Sequence, residues 1–264
     1  MARGISVHQT VFVVNQRHER FYRQEIGAID PRTVVQPSNR GTLPAILWSV
    51  LRVVQFDPMA CVAFFPSDHH YADEDSFIDG VGAAFDAAEA DHESVVLLGA
   101  RAHQPETSYG WIQPDRACAR YSRFPIHRVK RFWEKPSLQT AQTLLEQDCL
   151  WNTFVMVGRA GAYLKLIESA APGWYGALAS ATAQDPEDEA CTAARAYAEL
   201  ASADFSSEAV SPNAGRFAVL ALGDTGWSDL GDPLRFWALS SALERKPWVH
   251  QFGAALAIAR VAGE

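Results

Sequence analysis

The sequence predicts an α/β fold in which a mixed, mostly parallel sheet carries helices on both faces. Over residues 9–99, short apolar runs of strand length alternate with longer segments whose apolar residues recur at helical spacing. Connections between parallel strands are almost always right-handed, so the helices of such a repeat should cover both faces. After residue 99 two apolar runs follow each other without a full helix between them, which indicates an antiparallel excursion.

The elements of the first part follow from their apolar patterns. The predicted strands are residues 9–15, 33–36, 60–65 and 94–99, and the predicted helices are residues 19–26, 43–55 and 73–90. In the second helix Ile46, Leu47, Val50 and Val54 share one face, and Thr42 is expected to be its N-cap.

The second part is less regular. Its predicted strands are residues 109–113, 126–133, 153–157 and 217–222, and its predicted helices are residues 137–147, 160–170 and 186–201, with a last helix after residue 232. With no internal repeat or linker-like tract, the simplest organisation is one domain over residues 1–264.

Composition excludes several classes of protein. The formal net charge of −8 argues against a general nucleic-acid binder, which would carry a basic face. No run is long enough to span a membrane or to act as a signal core, so a soluble, cytoplasmic protein is expected. The four cysteines lie far apart and form no CxxC pair, which indicates reduced thiols and no zinc cluster.

Two carboxylates follow apolar strands. Asp68 comes directly after the strand at 60–65, and Asp229 lies in a glycine-flanked loop after the strand at 217–222. Carboxylates at the ends of two strands can share one Mg²⁺, because hard cations prefer oxygen ligands. The alternative is that both residues belong to ordinary turns, with His69 and His70 solvated.

The segment 36–42 leaves a strand, turns at Gly41 and starts a helix at Thr42. Gln36 offers a donor and an acceptor that suit a purine edge, and Gly41 permits close approach of a ligand to the backbone. From the sequence alone, an ordinary strand–helix connection is the favoured explanation of the same residues. Glu134, Lys135 and Asn152 also sit beside strands, where they suit a phosphorylated sugar or a solvated strand end.

Together these segments resemble the sugar-phosphate nucleotidyltransferases, and within them the mannose-1-phosphate guanylyltransferases. The matching segments occur in the family's order and extend over residues 9–239. They are VVNQRHERFY (13–22), QPSNRGTLPAIL (36–47), FPSDH (65–69), PETSYGWI (105–112), RFWEKPS (131–137), LWNTF (150–154) and GWSDLGD (226–232).

The resemblance implies a Rossmann-like nucleotidyltransferase fold and an enzyme that joins GTP to mannose-1-phosphate, giving GDP-mannose and pyrophosphate. It implies that the nucleotide is bound by Gln36, Asn39, Gly41 and Thr42, and that Mg²⁺ is bound by Asp68 and Asp229. It also implies that Gly110, Glu134 and Asn152 bind the sugar and Lys135 its phosphate, so that Asp68, Lys135 and Asp229 are the catalytic residues. The expected partners are these two substrates, with no nucleic acid and no membrane; a homo-oligomer is compatible with the sequence.

Two features depart from the family pattern. After Trp151 and Asn152 the family usually has a small residue and a glycine, whereas Thr153 and Phe154 stand here. The sequence also contains no GGxGTRxxP loop to wrap the triphosphate, and its first strand corresponds to the family's second. A sheet that lacks a central strand needs an outside strand, a rearrangement or a register shift.

Three expectations therefore stand side by side. The first is an active guanylyltransferase whose coding sequence continues upstream of Met1 and encodes the loop. The second is a non-catalytic relative that binds a nucleotide sugar or pairs with a complete paralogue. The third is a nucleotidyltransferase for another nucleotide or another sugar-1-phosphate, such as UTP or dTTP with glucose-1-phosphate. No segment resembles the C-terminal sugar-isomerase extension of some relatives, so a bifunctional enzyme is not expected.

Overall fold

A computed structural model describes residues 9–27, 32–121, 123–242 and 255–260 of the chain. Its strands are β1 Thr10–Asn15, β2 Arg32–Gln36, β3 Cys61–Phe65, β4 His69–His70, β5 Val95–Arg101, β6 Trp111–Tyr121, β7 Phe124–Trp133, β8 Leu150–Arg159, β9 Phe217–Gly223, β10 Ser228–Asp229 and β11 Ala255–Arg260. Its helices are α1 Glu19–Gly27, α2 Thr42–Phe56, α3 Glu74–Ala90, α4 Leu138–Glu146, α5 Ala160–Ala170, α6 Pro172–Thr182, α7 Pro186–Glu199 and α8 Pro233–Ala242.

Nine strands form one mixed sheet in the order β2-β1-β11-β3-β8-β5-β9-β7-β6, and β4 and β10 form a separate short ladder. The α/β class and the mixed sheet are confirmed, but most neighbouring strands are antiparallel and not parallel as expected. Strands β1, β2, β3, β5, β6 and β9 run in one direction. Among the described strands, only the neighbours β1–β2 and β5–β9 are parallel. Every other neighbouring pair of the nine-stranded sheet includes β7, β8 or β11, which run in the opposite direction.

Helices cover both faces of this sheet, as the strand–helix repeat predicts. Val62 and Phe64 of β3 belong to a core shared with α2, α5, α6 and α7, whereas Cys61 and Ala63 of the same strand belong to a core shared with α3 and α4. Alternate residues of one strand therefore point to opposite faces, and each face is buried under its own layer of helices.

Strand β11 lies inside the sheet, between β1 and β3, and is antiparallel to both. Its Ala257 is opposite Val11 on one side and Phe64 on the other. Of the expected alternatives, this arrangement is a rearrangement, in which a segment from the C-terminal part of the same chain fills the interior position between β1 and β3. Neither β11 nor α6 was predicted from the sequence patterns, whereas the hairpin of β6 and β7 agrees with the predicted antiparallel excursion.

The prediction that Thr42 caps α2 is wrong. Helix α2 begins at Thr42, and the N-cap position is Gly41, which has no side chain to accept a capping hydrogen bond. The Thr42 hydroxyl instead accepts a hydrogen bond from the amide of Phe205 at 2.9 Å. None of the helices in the described ranges combines the length and the apolar character needed to cross a membrane.

Candidate active site

A cavity of about 560 Å³ opens beside the carboxyl end of β3. One side of it is apolar, and the other carries carboxylates and cationic groups. Its lining residues are Val13, Thr42, Ala45, Ile46, Phe64, Phe65, Pro66, Asp68, His69, Ser108, Lys135, Phe154, Asp229, Gly231, Asp232, Pro233 and Arg235. Polar groups that converge in a largely apolar cavity are typical of a ligand site.

The structure brings the two predicted carboxylates together in this cavity. Asp229 lies opposite His69 in the β4–β10 ladder, and the amide of Leu230 donates to the carbonyl oxygen of Asp68 at 2.7 Å. A Cβ atom placed on Gly231 would lie 2.9 Å from a carboxylate oxygen of Asp229 and 3.4 Å from one of Asp68. The two side chains therefore face the same small space, which only glycine leaves open.

His69 lines this cavity with a side chain that is only 10% exposed, which excludes the alternative that it is solvated. The indole Nε1–H of Trp227 donates to His69 Nδ1 at 3.2 Å, so Nδ1 carries no proton and the neutral ring carries it on Nε2. His69 Nε2 lies 4.0 Å from an Asp68 carboxylate oxygen. Burial lowers the pKa of His69 to about 4, against the opposing effect of Asp68 and Asp229. The imidazole is therefore neutral at physiological pH.

Arg235, on α8, is a cavity residue that the sequence patterns missed. Its Nη1 lies 2.9 Å from Asp229 Oδ2, and its Nη2 donates to the Ser108 hydroxyl at 2.9 Å. Its guanidinium also stacks over the Tyr109 ring, 4.7 Å from the ring centroid. No spacing rule links a loop aspartate to an arginine on the following helix, so only the fold shows this pair.

The residues expected to bind a sugar phosphate form a second group beside the cavity. A Cβ atom on Gly110 would meet Asn152 Cβ and a Glu134 carboxylate oxygen, each at 3.3 Å, so these three residues adjoin. Lys135 lines the cavity, with its ammonium 4.0 Å from Glu134. Burial raises the pKa of the Glu134 carboxyl, and Lys135 offsets part of that effect.

Phe154 also lines the cavity, from a bulge in β8. The Thr153 hydroxyl bonds the carbonyl of Leu98, and the Asn152 side chain accepts from the Phe154 amide at 3.1 Å. Phe154 has a φ of 57°, in the left-handed region that favours glycine. The bulky residue at this position therefore occupies a backbone conformation suited to glycine.

The four residues expected to bind the nucleotide are placed differently from one another. Thr42 lines the cavity, whereas Gln36, Asn39 and Gly41 are not among its lining residues. Gln36 accepts a hydrogen bond from the Tyr197 hydroxyl at 3.0 Å, and Asn39 accepts one from the Gly41 amide at 3.0 Å.

The amides at the start of α2 are also engaged within the chain. The Thr42 amide donates to Asp204, and the Leu43 amide donates to the carbonyl of Ala203 at 3.0 Å. A Cβ atom on Gly41 would lie 2.4 Å from that same carbonyl oxygen. Glycine at position 41 therefore leaves room for residues 203–204 of the chain itself to lie close to its backbone.

The metal expected from the sequence has two candidate ligands. Asp68 and Asp229 present carboxylate oxygens, the donors that Mg²⁺ prefers. Within the described residues, no group of three or more histidine, cysteine, aspartate or glutamate side chains could hold a metal ion. Because Mg²⁺ usually keeps waters and substrate phosphates among its ligands, two carboxylates still fit such an ion.

Comparison with known proteins decides the family. Residues 2–246 match the model of the family described as nucleotidyl transferase. The chain is a member of the nucleotidyl transferase family. Relatives of this nucleotidyl transferase include the mannose-1-phosphate guanylyltransferase of Escherichia coli (strain K12), 28% identical over 90% of this chain and 51% of that protein. Another is the xanthan biosynthesis protein XanB of Xanthomonas campestris pv. campestris (strain B100), 30% identical over 86% of this chain and 48% of that protein. The chain thus spans about half the length of the curated relatives it matches.

Solved structures show the same fold as this nucleotidyl transferase. The crystal structure of mannose-1-phosphate geranyltransferase from Thermus thermophilus superposes with a TM-score of 0.73 at 24% identity, over 90% of this chain and 64% of that one. That of mannose-6-phosphate isomerase from Helicobacter pylori gives a TM-score of 0.64 at 20% identity, over 83% and 84%. These likenesses confirm the Rossmann-like nucleotidyltransferase fold that the resemblance implies.

Proposed function

We propose that this chain transfers a guanylyl group from GTP to mannose-1-phosphate, giving GDP-mannose and pyrophosphate. The observation that carries the proposal is the convergence of Asp68, Asp229 and Lys135 on one cavity in a nucleotidyl transferase whose relatives include mannose-1-phosphate guanylyltransferases. A phosphate oxygen of mannose-1-phosphate forms a bond to the α-phosphorus of GTP, and the bond from that phosphorus to the pyrophosphate oxygen breaks. The protein's contribution is positioning and charge neutralisation.

The carboxylates and the lysine have distinct roles in this proposal. Asp68 and Asp229 would hold Mg²⁺, which when bound would neutralise charge on the transferring phosphate. Lys135 lines the cavity and would bind the phosphate of the sugar phosphate. Gly110, Glu134 and Asn152 adjoin Lys135 in sequence or in space and bind the sugar hydroxyls. Thr42 is the one expected nucleotide-binding residue that lines the cavity, so it is the first candidate for contact with GTP.

The proposal is tested by measuring pyrophosphate release from GTP, mannose-1-phosphate and Mg²⁺. We expect release by the wild-type chain and a loss of about 100-fold or more in Asp229→Asn, because a carboxamide keeps the shape but removes the charge that holds the metal. The matched control is Asp79→Asn, which removes a surface carboxylate whose partner is also an arginine, Arg123, at 3.4 Å. Release that requires UTP or dTTP, or another sugar-1-phosphate, would contradict the assignment of GTP and mannose.

A second candidate is a non-catalytic protein that binds a nucleotide sugar. One specific observation is compatible with it: the amides of residues 41–43, at the start of α2, are hydrogen-bonded within the chain. Calorimetric titration with GDP-mannose separates the two candidates. Binding by a chain that releases no pyrophosphate supports the second, and release supports the first.

A further inference from the structure

Arg235 is a cationic cavity residue to which the proposed function assigns no role. Lys135 and Arg235 are the lysine and arginine among the lining residues, against the carboxylates Asp68, Asp229 and Asp232. The charge of Arg235 is directed at Asp229, with 2.9 Å between Nη1 and Oδ2. A polyphosphate that enters this cavity without a metal therefore meets mostly negative charge, which opposes its binding.

Binding of a divalent cation to Asp229 changes this balance. The cation and the guanidinium compete for the same carboxylate, since Arg235 contacts one oxygen of Asp229 and the Gly231 amide donates to the other. Once a cation neutralises Asp229, the guanidinium has lost its anionic partner but still faces the cavity. A guanidinium has five N–H donors in a planar fork, a geometry that matches phosphate oxygens.

The other contacts of Arg235 allow such an exchange without a large movement. The Ser108 hydroxyl and the Tyr109 ring contact the guanidinium independently of Asp229, so they can hold it at the cavity wall. The side chain is 24% exposed, so the guanidinium is neither locked in the core nor free in solvent. Loss of the pair with Asp229 therefore leaves free donors on a guanidinium that these two contacts keep at the cavity wall.

We propose that Arg235 is a phosphate-binding residue that pairs with Asp229 in the metal-free cavity and with the nucleotide phosphates once a divalent cation occupies Asp229. This inference rests on the proposed function, because it needs a nucleotide and a metal in this cavity. It assigns to Arg235 a role that couples the two ligands. A cation bound at Asp229 would free Arg235 to contact phosphate, and Arg235 would then favour binding of the nucleotide.

The test measures two affinities whose changes have opposite signs. The probes are Mn²⁺ alone, followed by electron paramagnetic resonance, and GTP in the presence of Mg²⁺, followed by calorimetry. In Arg235→Gln we expect Mn²⁺ to bind about twofold to fivefold more tightly, because a competing cation is gone. We expect GTP to bind about tenfold more weakly, because a charge-assisted hydrogen bond is lost. Arg235→Lys, which keeps the charge, should restore part of the GTP affinity.

Arg123 is a matched control on the surface. It contacts a carboxylate (Asp79, 3.4 Å), a serine hydroxyl (Ser76, 2.8 Å) and an aromatic ring (Phe124, 5.2 Å), so it repeats the environment of Arg235 outside the cavity. Arg123→Gln should leave both affinities unchanged.

The outcomes separate this inference from the function on which it rests. If Arg235→Gln weakens both ligands, or changes neither, Arg235 only supports the loop of Asp229 and the inference is wrong. If the wild-type chain does not bind GTP, the proposed function and this inference are both wrong. If the wild-type chain binds GTP and the variant binds it equally well, only the role of Arg235 is wrong.

Discussion

At the scale of single residues, backbone strain points to the same cavity as the charges do. Lys135, Asp148 and Phe154 have φ values of 45°, 52° and 57°, which side-chain-bearing residues rarely adopt. Two of the three, Lys135 and Phe154, line the cavity. Strained residues persist where the surrounding structure holds them, and they cluster at functional sites. The sequence shows that Phe154 departs from the family pattern, but only the backbone shows that the family's glycine suits the conformation.

Two truncations of Phe154 test the strain. Phe154→Gly and Phe154→Ala both remove the ring, but only glycine relieves the left-handed conformation. We therefore expect Phe154→Gly to be more stable than Phe154→Ala by about 1 kcal/mol, measured by urea unfolding. In a strand of ordinary φ the order is reversed, because glycine costs about 0.5–1 kcal/mol relative to alanine.

Leu150 provides the control for this comparison. It begins the same strand, packs partly against the core and is not among the residues of positive φ. Leu150→Ala should therefore be more stable than Leu150→Gly. An alanine variant at position 154 as stable as the glycine variant would show that Phe154 carries no strain.

At the scale of elements, the turn before α2 is a packing junction. Gly41 lies against the carbonyl of Ala203, and the amides of Thr42 and Leu43 bond to residues 203–204. The Arg40 side chain extends the same junction by donating from Nε to the carbonyl of Tyr197. The junction thus attaches the start of α2 to the segment after α7, on one side of the cavity.

Gly41→Ala should destabilise the protein by about 2 kcal/mol or more. Its Cβ would lie 2.4 Å from a backbone oxygen, and its φ of 89° is unfavourable for alanine. Gly176→Ala is the control, because Gly176 lies within α6 and a Cβ there would meet nothing within 4 Å. That change should stabilise the protein by up to about 1 kcal/mol, since glycine is unfavourable inside a helix. Thermal unfolding of both variants measures the difference, and equal effects would contradict this role for Gly41.

Local patterns predicted most elements but not their neighbours. The apolar periodicity of α2, α3 and α5 and the β-branched run of β1 predict their type, because these signals are carried by adjacent residues. The place of β8 between β3 and β5 depends on pairing between segments far apart in sequence.

The residues of the candidate site also differ in whether local patterns could predict them. Strand-end positions predicted Asp68 and Asp229, whereas Arg235 and the internal bonding at Gly41 depend on contacts across the fold.

At the scale of the whole molecule, β11 connects two parts of the sheet. Strands β1 and β2 pair with each other, and among the described residues β1 reaches the rest of the sheet through β11 alone. Strand β11 in turn pairs with β3, whose end leads to Asp68. The cavity draws Val13 from β1 and Phe64 and Phe65 from β3, so its apolar side depends on the strand that lies between them.

The last prediction tests this connection with a change to one backbone group. Ala257→Pro removes an N–H from the middle of β11, where Ala257 faces Val11 and Phe64, and an interior strand does not tolerate proline. The loss of a ladder hydrogen bond should cost about 1–3 kcal/mol. Hydrogen exchange should show that the amides of β1 lose protection while those of β5 and β9 keep it, because local opening follows the units of the sheet. Ala257→Gly keeps the N–H and should leave the β1 amides far better protected than the proline variant does. Equal loss of protection in β1, β5 and β9 would mean that the sheet unfolds as one unit and that β11 does not separate a less stable part from the rest.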